Sequence, residues 1–265
     1  MTLQGLSRFF GSDVVATRPL HGGDLSEVVR MDLSDGTRVA VKRGPLVGIE
    51  ADMLRRMASA GAPVPRVLHQ TGDLLCLEWL GETPASPAGW GALGMGLRTL
   101  HAARGDHYGW PCTYGFGRVT IRNTPMTDWP RFWAECRLLP FLPALPPAMA
   151  RRVEALARAL PERLPATPAP ALLHGDLWIG NALFSGSSAY LIDPACYYGD
   201  AEVDLAMLDL FSTPTQAFHD AYGAGDPARA ERRPIYQLFP ALVHYRLFGA
   251  SYQGLVARLV QAARI

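Results

Sequence analysis

Hydrophobic and polar positions change rhythm along this chain. Between residues 14 and 42, short apolar runs are broken by turn residues, which predicts strand, turn, strand, turn, strand. The first turn is His21-Gly22-Gly23-Asp24-Leu25-Ser26. The second is Ser34-Asp35-Gly36-Thr37, whose Asp-Gly pair is a strong hairpin signal. The period then lengthens, and Ile49, Met53, Leu54 and Met57 share one face of an amphipathic helix. Gly61-Ala62-Pro63-Val64-Pro65 is a break, and residues 67–69 and 74–80 read as a hairpin. Past Gly81-Glu82-Thr83-Pro84, helical periodicity dominates: at 88–103, from Asp128 as a cap, near 147–164, around 202–211, and in two closing helices over 234–262. Three short strands interrupt it at 171–173, 182–184 and 189–192, while 105–128 reads as a long ordered loop and 194–200 as a turn-rich one. A β-rich first part and a helical second part predict a mixed α/β protein of two lobes, 1–80 and 81–265.

With 49% hydrophobic residues among 265, the chain can bury a substantial core. A net charge of +1 argues against a nucleic-acid partner, which calls for a basic patch or stripe. No apolar run is long enough for a bilayer, and the first eight residues carry no signal-peptide pattern, so the expectation is a cytoplasmic protein, taken as monomeric. The four cysteines (Cys76, Cys112, Cys136 and Cys196) are scattered without a C-x-x-C pair, which predicts free thiols rather than a zinc site or disulfide framework.

The chemistry concentrates in His174-Gly175-Asp176-Leu177-Trp178-Ile179-Gly180-Asn181 and in Asp193 at the end of the next strand pair. A hydroxyl kinase needs a carboxylate to accept the hydroxyl proton, here Asp176. It also needs an amide and a second carboxylate to hold Mg²⁺ at the phosphates of ATP, here Asn181 and Asp193. Bare Asp and Asn are usually turn residues; the ordered set of three on apolar strand edges is what points to a catalytic loop and a metal loop. Lys42 ends an apolar strand, and Glu50 adjoins the apolar edge of the following helix, where it could orient Lys42 against the phosphates. Gly22, Gly23 and Ser26 could bring backbone amides and a hydroxyl to the phosphates, although taken alone they make an ordinary hairpin turn. The strand through Glu78, Trp79 and Leu80 leads into a polar linker, as either an adenine-facing hinge or a plain core strand. Asp204 falls among apolar neighbours and is expected to brace the catalytic loop by hydrogen bonding, and His101 to be structural. P-loop, Rossmann, serine-hydrolase and zincin motifs are absent.

These residues resemble the fructosamine kinases, or ketosamine 3-kinases, of the aminoglycoside-phosphotransferase-like, protein-kinase-like fold. The resemblance rests on Leu-Leu-His174-Gly-Asp176-Leu-Trp178-x-Gly-Asn181 and on Asp193-Pro-Ala-x-Tyr197-Tyr198-Gly199-x-x-Glu202-x-Asp204. Further similar stretches run from Gly22-Gly23-x-x-Ser26 to Tyr236-Gln237-Leu238-Phe239, so it spans nearly the whole chain. It implies ATP and Mg²⁺ as cofactors, Lys42 at the phosphates held by Glu50, a hinge at 78–80, Asp176 as proton acceptor, and Asn181 and Asp193 as metal ligands. The implied substrate is a small-molecule or protein-bound ketosamine (a ribulosamine, erythrulosamine or fructosamine) phosphorylated at its 3-hydroxyl in a deglycation repair step. Trp178, Tyr197 and Tyr198 are the expected sugar-side residues. Asp24 stands where some relatives carry a cysteine, so a redox switch built on that cysteine is not expected. Two rival readings are a phosphotransferase for another amino alcohol or an aminoglycoside, and a nucleotide-binding pseudokinase.

Overall fold

The computed structural model describes residues 3–20 and 27–264, so the expectation for Gly22, Gly23 and Ser26 lies outside the described residues. Helix α1 (Leu3–Phe10) leads into strands β1 (Val14–Pro19), β2 (Glu27–Leu33) and β3 (Arg38–Arg43). Helix α2 (Val47–Ser59) and strands β4 (Val67–Thr71) and β5 (Leu74–Glu78) follow. The five strands make one antiparallel sheet in the order β1-β2-β3-β5-β4. Alternation along the strands divides its two faces. Val39 and Val41 join Met31, Leu33, Leu74, Cys76 and Leu6 of α1 in a small core. Lys42, paired with Leu75, faces the other way, toward α2.

The rest of the chain is mostly helical. Helix α3 (Pro87–Ala102) starts where the Ser86 hydroxyl accepts from the Gly89 amide, with Pro87 in the first turn. A short hairpin, β6 (Tyr114–Phe116) and β7 (Val119–Ile121), precedes α4 (Trp129–Trp133), which Asp128 caps by accepting from the Arg131 amide. A π-helical stretch, Ala134–Leu138, and a 3₁₀ stretch, Leu139–Ala144, connect α4 to α5 (Pro147–Arg163). Strands β8 (Ala171–Leu173), β9 (Ala182–Ser185), β10 (Ser188–Leu191) and β11 (Tyr197–Gly199) alternate with the loops of the site. Helices α6 (Glu202–Phe211), α7 (Gln216–Tyr222), α8 (Arg229–Phe248) and α9 (Gln253–Ala262) close the lobe. The architecture is a five-stranded N-terminal lobe beside a helical C-terminal lobe.

The elements differ from the sequence expectation in α1 and α7, which no periodicity announced, and in two loops. The 105–128 stretch contains the β6–β7 hairpin, whose three-residue strands are too short to show a period of two. The 194–200 stretch contains β11, paired antiparallel with β8. All six residues of that pair are buried, so no alternation marks it. One continuous core runs from Val47, Met53, Leu54 and Met57 of α2 through Leu93 and Leu97 of α3 to Val256 of α9. The sheet's outer-face core is separate.

Candidate active site

The site is built where β8 ends. Asp204 of α6 is fully buried, and its carboxylate accepts from the His174 amide at 2.7 Å, the Gly175 amide at 2.9 Å and His101 Nε2 at 3.0 Å. Burial works against its charge, but His101 and the Gly175 amide hold its carboxyl below the usual range. The expected brace is therefore present, and His101, bonded on its other side to the Tyr222 hydroxyl, belongs to it. Gly175 has φ +81°, and a Cβ there would collide with the Ala195 carbonyl oxygen, so only glycine fits the turn. His174 bonds the Ile192 carbonyl through Nε2 at 2.8 Å and accepts the Asp176 amide on Nδ1 at 3.3 Å, which places its proton on Nε2. Burial holds its pKa below the usual histidine range, so the ring stays neutral.

The loop so fixed presents Asp176 and Asn181 side by side. The Asn181 amide group donates to the Asp176 carbonyl at 2.7 Å and to its carboxylate at 3.0 Å. Burial raises the Asp176 pKa; the Asn181 bond pulls the other way and the charge of Asp193 adds to the rise, leaving it at about 7. Asp193 follows β10 with φ +53°, a left-handed conformation that Asp tolerates. Bonds from Ile192 to the Asn181 carbonyl (3.0 Å) and from Ala195 to the His174 carbonyl (2.8 Å) hold it there. Its carboxylate meets Lys42 Nζ at 2.8 Å, while Glu50 takes the same ammonium at 2.7 Å. Burial works against the charge of Lys42, but Glu50 and Asp193 outweigh it and raise its pKa, so it is an ammonium.

Among the described residues no group of three or more His, Cys, Asp and Glu stands ready to hold a metal. A magnesium ion does not need one, since it is commonly bound by one or two carboxylates with waters and phosphate oxygens completing its shell. Asn181 spends its NH₂ on Asp176 and keeps its amide oxygen, a hard donor, and Asp193 adds a carboxylate. The donor set fits that ion.

A cavity of about 810 Å³ opens on these groups. Lys42, Glu50, Asp176, Asn181 and Asp193 line one part of it together with Trp178, whose indole folds over Gly180 and is 42% exposed. Tyr197 and Tyr198, expected on the sugar side, are not in its walls. Tyr197 is buried under the Arg137 guanidinium, 4.1 Å from its ring centroid, and Tyr198 is buried beside Trp110 with its hydroxyl bonded to Arg56. Strand β11 pairs with β8 at that point, which turns both rings into the core. Glu78, Trp79 and Leu80 also lie outside the cavity: the Glu78 carboxylate takes Arg66 at 3.1 Å, and Trp79 stacks under Arg30.

The far wall was not anticipated. It includes Phe116 and Arg118 of the hairpin, and Phe211, His244, Phe248 and Tyr252. The sequence signal was present in the Gly- and aromatic-rich stretch at 108–117. By contrast, 244, 248 and 252 recur every four residues, a stripe that reads equally as core.

The fructosamine kinase family model matches residues 4–264. A probable ketoamine kinase from Thermus thermophilus is 36% identical over 260 residues, covering 92% of this chain and 93% of that protein. The crystal structure of a candidate fructosamine-3-kinase from Thermobifida fusca superposes with a TM-score of 0.91 at 34% identity, covering 99% and 98% of the two chains. An aminoglycoside phosphotransferase, solved as a thermostable mutant with AMP-PNP and hygromycin B, has the same fold, with a TM-score of 0.69 at 18% identity and 99% coverage of each chain.

Proposed function

Since the chain belongs to the fructosamine kinase family, we propose that it transfers the γ-phosphoryl group of ATP to the 3-hydroxyl of a ketosamine. Ribulosamines, erythrulosamines and fructosamines are the acceptor class, and the phosphorylated adduct then breaks down to free the amine. The observation that carries this reading is the Lys42 ammonium held between Glu50 and Asp193, on the same cavity as the Asp176–Asn181 pair.

Asp176 accepts the proton of the 3-hydroxyl as its oxygen forms the new bond to phosphorus, and the bond from phosphorus to the ADP oxygen breaks in line. Its pKa near 7 suits a base at neutral pH, because the carboxylate is available yet basic enough to take the proton. Asn181 fixes the carboxylate's rotamer and offers its amide oxygen, with the Asp193 carboxylate, to Mg²⁺. Bound Mg²⁺ would supply charge neutralisation at the phosphates. Lys42, held by Glu50, places its ammonium against the donor phosphates. Trp178 offers an indole face to the C–H surface of the sugar.

The test is mass spectrometry after incubation with Mg-ATP and ribulose-, erythrulose- and fructose-derived lysine adducts, with an aminoglycoside and a choline-type amine as controls. One phosphoryl group gained by ketosamines alone is the expected result. Transfer to a control and not to the ketosamines would replace the acceptor class. No transfer with ATP still bound would leave a nucleotide-binding scaffold.

A further inference from the structure

The part of the cavity that the phosphoryl-transfer groups leave unused has a different character. Its carboxylates, Glu50, Asp176 and Asp193, all gather around Lys42 and Asn181. Away from them the wall is made by Phe211, Val243, Leu247, Phe248 and Tyr252. Phe211, Phe248 and Tyr252 surround the His244 ring with centroids at 5.0, 5.6 and 4.9 Å. That ring adds no charge near neutral pH, because burial holds it below the usual histidine range against the opposing pull of the Pro240 carbonyl, which takes its Nδ1 at 2.8 Å.

The tip of the β6–β7 hairpin, at Gly115, Phe116, Gly117 and Arg118, also lines this cavity. An isolated hairpin of three-residue strands is marginal in water. This one is fastened at two points. Val119 and Ile121 are buried in the core, and Arg118 Nη2 donates to the carbonyls of Arg246 (2.8 Å) and Leu247 (2.9 Å). Those carbonyls belong to the last turn of α8, which has no helical partner for them and carries the negative end of the helix dipole. Arg118 therefore caps α8 and pins the hairpin to the helix end beside Phe248 in one contact.

We propose that the hairpin, stapled by Arg118 to the end of α8, walls a channel that receives the substituent on the acceptor's amine, and that this channel selects uncharged alkyl or aryl substituents over anionic ones. The proposal rests on the ketosamine reading and adds to it which amines are served. An alkyl chain of a few carbons runs from the ketose at Asp176 along the aromatic wall and gains by burial there. A carboxylate on the same chain would be desolvated against Phe248 and Tyr252. Nη2 of Arg118 is turned to the helix end by those two bonds.

The experiment uses one ketose, ribulose, on methylamine, butylamine and β-alanine, with saturating Mg-ATP and the full chain. The expected kcat/KM rises about tenfold from the methyl to the butyl adduct, from the methylenes buried. It drops at least tenfold from the butyl adduct to the β-alanine adduct, which places a carboxylate in the same space. Arg118→Ala is expected to shrink the butyl-to-methyl ratio at least threefold, with Arg118→Lys restoring part of it. Phe248→Ala, at a half-exposed position where folding is not at stake, is expected to shrink the ratio likewise. A flat series, or a β-alanine adduct turned over as fast as the butyl one, overturns the channel while leaving the ketosamine reading intact. An equal loss for every substrate in Arg118→Ala overturns the staple. No phosphorylation of any adduct overturns the acceptor class and the channel with it.

Discussion

Asp176 carries two opposed demands. Its site raises its pKa to about 7 through burial and the nearby Asp193, so the charge it carries as a base is one that the fold penalises. A carboxyl whose folded pKa is raised contributes stability in full below its unfolded value, 3.8, and that contribution is lost as pH rises through about 7. Asp176→Asn is therefore expected to lower kcat by roughly 10²–10⁴-fold with ATP binding kept. It should also melt roughly 2–8 °C higher than the parent at pH 8, without metal or nucleotide, with the gap closing toward pH 4. Calorimetry across that range checks the sign, and a gap that widens in acid would refute it. His174 and Asp204 behave oppositely: both have folded values below their usual ones, so the stability they contribute is present above those values and lost as pH falls. The loss begins below about 6.5 for His174 and below 3.8 for Asp204. Asp204→Asn would set an amide NH₂ against the His174 or Gly175 amide, and is expected to cost about 3 kcal/mol in a urea titration. Unchanged stability in that variant would remove Asp204 from the brace.

The elements meet at contacts that only small residues permit. Helix α3 lies so close to α7 that a Cβ on Gly94 would overlap the Phe218 carbonyl oxygen, whereas Gly91, one turn earlier, has only an ordinary contact with the Ala217 carbonyl at 3.8 Å. Gly94→Ala is expected to destabilise by about 1–3 kcal/mol, and Gly91→Ala to stabilise by about 0.5–1 kcal/mol through helix propensity. Chemical denaturation of the pair measures both, and equal effects would deny the close packing. At this scale the sequence was legible wherever a period could repeat. Ile49, Met53, Leu54 and Met57 marked α2, and the Asp-Gly turn at 35–36 marked the β2–β3 hairpin. It was silent on β6, β7 and β11, each three residues long, and on α1 and α7, which span only two turns. The grouping of Asp176, Asn181 and Asp193 on one cavity was readable because the three lie within eighteen positions. The surroundings of Tyr197 and Tyr198 were not. Whether Tyr197 faces a ligand or Arg137 depends on the pairing of β11 with β8, which no local pattern encodes.

Across the whole molecule, the two lobes are not two independent cores. Helix α2 shares its core with α3, α6 and α9, while the outer face of the sheet keeps a small core of its own with α1. Unfolding followed by Trp79 fluorescence, in a variant whose other tryptophans are replaced conservatively, and by far-UV circular dichroism is expected to give coincident midpoints. Separated midpoints would show that the sheet and the helical lobe melt apart. The same packing has a bearing on control. Met53 of α2 packs into that shared core and its sulfur receives the Cys196 amide at 3.3 Å, just past Asp193; one turn earlier on the same helix, Glu50 grips Lys42. A displacement of this helix would therefore disturb the shared core and the Lys42 pair together.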